Sequence, residues 1–114
     1  MRASTVAAIG ALVDAYRQLT PVLAEHLEDN DGELLPHLVM ADIIRWLVDH
    51  RATDPDGCGA ILGWLELEYA RGPEEVRGLI TVSGVEMIPD PGQPGSELRS
   101  LLGPELRRVD PWCD

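Results

Sequence analysis

The chain contains no lysine and no phenylalanine. All of its formal positive charge comes from nine arginines, set against twenty carboxylates, for a net charge of −11. No basic stripe exists to neutralise phosphates, which excludes direct binding to nucleic acid. The same imbalance excludes adhesion to an anionic membrane surface. Cysteine is scarce: Cys58 and Cys113 are far apart and form no CxxC. Two such cysteines make neither a disulfide framework nor a zinc knuckle, and both are expected reduced, Cys58 buried and Cys113 exposed in a cytoplasmic protein. Long apolar runs are missing too. The stretch from Val6 to Val13 follows a single Arg2 and is cut by Asp14, too short for a membrane span and poorly built for a signal peptide.

Several chemistries lack their residues. The three histidines, His26, His37 and His50, lie on different segments with no metal-binding spacing. None of the four serines stands in a nucleophile elbow. No glycine-rich loop carries a basic residue to cradle phosphate. No catalytic residue, metal ligand or cofactor is assigned on these grounds.

What remains is 114 residues with 45% hydrophobic content and a mass of 12.5 kDa. Surface scaling for that mass gives about 6,000 Å² folded against about 18,000 Å² unfolded, enough burial for one core without staples. One domain over residues 1–114 is expected. Apolar residues recur at helical spacing throughout, and no run reads convincingly as a strand. The pattern predicts helices over residues 4–19, 21–28, 36–50 and 58–70. A fifth begins at Pro73 and runs towards Ile88, and a last one is capped by Ser96 and broken at Gly103-Pro104. The third is apolar on most sides, leaving only Asp42, Arg45 and Asp49 as a polar stripe, so it belongs at the centre. Residues 89–95 read as a Pro/Gly-rich loop and 110–114 as a loose tail. The fold class is all-α, an irregular bundle of five or six helices, with a short stack of helical hairpins as the alternative.

The distinctive segment is Glu25-His26-Leu27-Glu28-Asp29-Asn30-Asp31-Gly32-Glu33. It holds five carboxylates and no arginine. Asn, Asp and Gly at its centre specify a turn. A calcium hand is excluded, because placing Gly32 at the invariant glycine puts Leu27 and Leu38 at the first and last ligand positions. An irregular divalent site would draw on Glu25, Asp29, Asp31 or Glu33. A structured acidic turn between two helices suits arginine and lysine side chains of a basic partner. Glu25, Glu28, Asp29, Asp31, Glu33 and His37 are the residues expected to bind it.

The stretches EHLEDNDGELLPHLVMADIIRWLVDH, ILGWLELEYARG and VRGLITVSGVEMI, together spanning most of Leu19 to Leu102, resemble a family of short uncharacterised bacterial proteins. That family is loosely similar to the immunity proteins of polymorphic toxin systems. The resemblance implies a small helical domain without a cofactor, and a toxin domain as partner. It assigns no catalytic role to any residue. The expected function is that of a non-enzymatic interaction domain, an immunity-like inhibitor in its sharper form. The alternatives are a small acid–base or divalent-metal enzyme using Glu33, His37 and Asp42, and an accessory or oligomerisation domain. Oligomeric state is left open by the sequence.

Overall fold

The computed structural model describes residues 2–112. Cys113 lies outside the described residues. Six α-helices occur among them: α1 (Arg2–Ala15), α2 (Thr20–Asp29), α3 (Pro36–His50), α4 (Pro55–Arg71), α5 (Glu74–Ser83) and α6 (Pro104–Arg108). Three 3₁₀ segments, Arg17–Leu19, Val85–Met87 and Ser96–Leu101, complete the all-α architecture. The Cα radius of gyration is 13.2 Å, close to the value of about 13.3 Å that size scaling gives for this length. The accessible surface is 6274 Å².

Helix α3 is the axis of the bundle, packing against α1, α2, α4 and α5. A hairpin stack would contact only sequence neighbours, so the irregular bundle is the better description. Its residues Val39, Met40, Ile43, Ile44 and Leu47 are buried with Ile9 and Leu12 of α1, Ile61, Leu62 and Leu65 of α4, and Val76, Leu79 and Ile80 of α5. Leu98, Leu102 and Leu106 extend the same core into the C-terminal segment.

Several boundaries differ from the sequence expectation, each for a local reason. The first helix ends at Ala15 rather than Leu19. Tyr16 leaves the helical region at φ −126°, ψ 88°, its hydroxyl donates to the Ala60 carbonyl at 3.1 Å, and the following 3₁₀ turn drives Leu19 into the core. Helix α4 starts one turn early because the Asp54 carboxylate accepts the Gly57 N–H at 3.0 Å and caps it. The β-branched stretch after Ile80 stays helical to Ser83. It stops at Gly84, where any Cβ would meet the Ile80 carbonyl oxygen at 2.3 Å. Ser96 caps no helix: Gly95, in the left-handed region at φ 97°, leads instead into a 3₁₀ segment.

The C-terminal segment is held at Asp110, while residues 113–114 of the expected tail lie outside the described residues. The Arg99 and Asp110 side chains, 10% and 0% exposed, form a buried ion pair. Arg99 Nη2 also donates to the carbonyls of Ile88 and Pro89, at 2.8 and 3.1 Å. Asp110 Oδ1 accepts the Trp112 N–H at 3.0 Å. Glu66, which its helical position alone would point to water, is half-buried and bonds across to the start of α6. Trp64 is half-buried against the core, and its neighbour Leu67 is the exposed apolar residue, at 63%.

Candidate acidic cleft and its turn

The acidic segment forms the last turn of α2 and the connection to α3. Helix α2 closes on a Schellman-type bond, Gly32 N–H to the Leu27 carbonyl at 2.7 Å. Asp31 and Gly32 both take positive φ, 54° and 82°. Aspartate is among the few side chains that tolerate this region. Asn30 Nδ2 donates to the His26 carbonyl at 2.8 Å, and the Glu33 N–H to the Asn30 carbonyl at 3.0 Å.

His26 is the residue that sequence reasoning undervalued. It is 3% exposed, and its Nε2 accepts the Leu35 N–H at 3.0 Å, nine residues along the chain. A backbone amide only donates, so Nε2 is the bare nitrogen of this ring. The imidazole thus clips the end of the turn to α2 from inside. An acceptor so placed in space leaves no trace in helical periodicity, since its partner lies beyond the turn.

Glu25 and Asp29, one turn apart on α2, face the polar stripe of α3. With Asp42, Asp49, Arg45, Trp46, Val22 and His26 they line a cleft of about 360 Å³. Four carboxylates thus stand against one guanidinium, and that guanidinium is paired with Asp42. Trp46, in the same lining, is half-buried and stacks on His50, ring centroids 4.1 Å apart. His50 Nδ1 donates to the Trp46 carbonyl at 2.8 Å. Asp49 was not among the expected site residues. Its place on the α3 stripe was readable, but its meeting with α2 depends on how the two helices pack.

Glu28, Asp31 and Glu33 are exposed on the turn and line neither this cleft nor the groove described next. His37 stands on the opposite side of α3's first turn. It lines a wider groove of about 730 Å³ formed by Thr5 of α1, Leu35 to Leu38, and Glu75, Gly78, Leu79 and Val82 of α5. His37 Nδ1 sits 2.6 Å from Ser83 Oγ. Ser83 is buried, so its hydroxyl is not offered to a substrate. Glu33, His37 and Asp42 therefore do not share one cleft. The three histidines engage separate partners: Leu35, Ser83 and Trp46. Among the described residues, no group of three or more His, Cys, Asp or Glu is placed to hold a metal ion. No helix among them is long and apolar enough to cross a membrane.

Cys58 is fully buried and unoxidised, its Sγ donating to the Leu47 carbonyl at 3.5 Å. Burial pushes its thiol above the usual range, and the Asp54 charge adds to this. That environment suits a packing group rather than a nucleophile.

No curated protein and no solved structure matches the chain. One family model matches residues 9–112, nearly the whole chain, and the protein accordingly belongs to the family described as Domain of unknown function (DUF7674).

Proposed function

We propose that this protein is a non-enzymatic binding module that holds a basic protein partner in the cleft between α2 and α3. The observation that supports this most directly is the surplus of carboxylates there. Glu25, Asp29, Asp42 and Asp49 converge from two helices, with Arg45 as the single cation in the lining. An arginine or lysine side chain entering the cleft meets carboxylates from both helices, a setting for charge-assisted hydrogen bonds. The exposed turn carboxylates Glu28, Asp31 and Glu33 add a field that speeds encounter with a positive surface. The sequence resemblance to immunity proteins makes a toxin domain, encoded beside this gene in a bacterial genome, the partner class to test first. A cytoplasmic location follows from that reading.

The test is affinity capture from native lysate at low and high ionic strength, followed by titration of the partner against variants. Salt weakens contacts between exposed charges beyond a Debye length of about 8–10 Å. The expected result is a partner retained at low salt and weakened by the combined substitution Glu25→Gln, Asp29→Asn, Asp49→Asn. An affinity indifferent to that triple change reduces the cleft to a solvated face.

A further inference from the structure

A hydrogen bond accepted by a bare ring nitrogen lasts only while that nitrogen stays unprotonated. The three histidines differ in this respect. His50 Nδ1 donates to the Trp46 carbonyl, and an imidazolium keeps that donor. His37 Nδ1 faces the Ser83 hydroxyl, which can accept from a protonated nitrogen as well as donate to a bare one. His26 is the exception. Its Nε2 accepts from the Leu35 N–H at 3.0 Å, and a backbone amide nitrogen cannot accept in return. A second ring proton would set N–H against N–H.

The surroundings of the ring give that proton no other place. His26 Nδ1 stands 3.4 Å from Asn30 Nδ2, and that amide nitrogen donates to the His26 carbonyl. Among the described residues, neither ring nitrogen therefore meets an acceptor. At 3% exposure the side chain is also shielded from water. Leu35 has no substitute partner. It precedes the first turn of α3 as its N-cap residue, and among the described residues His26 is the one acceptor that its N–H meets.

The charges near the ring come from several elements. Helix α2 itself contributes Glu25 and Asp29, and α3 contributes Asp42, Arg45 and Asp49. All five line the cleft together with His26. On the side of α1 and the first 3₁₀ turn stand Asp14 and Arg17, paired at 3.8 Å and lining a separate recess with Leu23. Asp31 and Glu33 of the turn are exposed. A charged imidazole moving outward thus finds carboxylate counter-ions in the cleft. What holds the ring inward is a bond that only its neutral form can make.

We infer that His26 is a pH-sensitive latch on the turn between α2 and α3: the neutral ring holds Leu35, and protonation releases it. The latch is closed at higher pH and opens as pH falls through the range in which imidazoles take up their proton, about 8 to 5. Release uncouples the start of α3 from the end of α2. The latch does not depend on the cleft having a partner, so it and the proposed binding function stand or fall separately.

The test is amide hydrogen exchange by NMR on the full chain at about pH 7.5 and about pH 5, with the three imidazole rings titrated in the same samples. The protection of Leu35, taken relative to the free-peptide rate at each pH, should fall at least about tenfold on acidification, in step with the His26 ring. Ile43, deep in α3, should keep its protection within about twofold. In His26→Gln, whose side-chain oxygen accepts at either pH, the protection of Leu35 should be the same at both. His37→Gln should leave the wild-type response intact. Should His26→Gln not fold, the wild-type titration decides alone, because Leu35 must then follow the ring of His26 and not those of His37 or His50. Undiminished protection of Leu35 with His26 charged, an equal fall in His26→Gln, or a His26 ring that stays neutral across the range overturns the inference. So does a parallel loss at Ile43, since the whole chain is then opening rather than the latch.

Discussion

Glu66 caps a helix to which it does not belong: its carboxylate accepts the Leu106 N–H at 3.0 Å, forty residues along the chain. The other oxygen accepts the Glu105 N–H at 2.8 Å, so the first turn of α6 is satisfied by a side chain of α4. The chain makes room for this at Gly103, where a Cβ would come within 2.5 Å of the same carboxylate.

Glu66→Ala should therefore cost about 1–2 kcal/mol, the usual price of a lost N-terminal cap. Gly103→Ala should cost a similar amount by displacing the carboxylate. The double variant should be little worse than Glu66→Ala alone, because both changes remove one interaction. Urea denaturation of the three variants measures this coupling directly.

His26→Leu should cost about 1–3 kcal/mol, since the Leu35 N–H loses its acceptor at a site shielded by the ring it replaces. Hydrogen exchange at Leu35 should accelerate well beyond exchange at Ile43, deep in the same helix. His26→Gln, which keeps an acceptor, should recover part of the loss.

The Arg99–Asp110 pair gives a sign-sensitive prediction. Arg99→Met strands a buried carboxylate and should destabilise by about 3–5 kcal/mol. The double variant Arg99→Met, Asp110→Leu removes both charges and should recover most of that. Thermal unfolding of the two variants decides it, and a double variant no better than the single one would show that the bonds of Arg99 to Ile88 and Pro89 matter more.

Cys58 should resist thiol reagents in the folded state. In a Cys113→Ser background, modification should proceed only as fast as the chain opens, and denaturant should accelerate it. Its raised thiol also sets a direction with pH. The unfolded chain loses this proton first, so the thiol's contribution is intact below the ordinary cysteine range of about 8.5 and is lost as pH rises through the folded value. Cys58→Ala should flatten that alkaline decline.

Local signals carried most of the fold. Pro36 and His50 bound α3 where the sequence places them, because proline at the first position and a continuous apolar run leave little choice. The apolar spacing of Ile61, Leu62, Leu65 and Tyr69 likewise marks the core face of α4, with the first three buried and Tyr69 partly so. What periodicity could not show were bonds spanning long stretches of chain: Tyr16 to Ala60, Glu66 to Leu106, Arg99 to Asp110. Of these, Glu66 is the side chain that a helical wheel points to solvent, and Asp110 is held by a residue eleven positions back. The acidic turn was legible as a turn and as a concentration of charge. Its division was not, because Glu25 and Asp29 face α3 while Glu28 and Asp31 face water only once α2 and α3 are packed.

Leu35 is held at its amide by His26, opens α3, and contributes to the groove wall. Cleft and groove are therefore two faces of one beam, joined over a clamped turn rather than a flexible linker. His26 thereby sets where α3 begins beside α2, and with it how Asp42 and Asp49 stand opposite Glu25 and Asp29 across the cleft. Loosening the clip would let the two walls shift against each other, so a buried, neutral-acceptor contact governs the spacing of the charges.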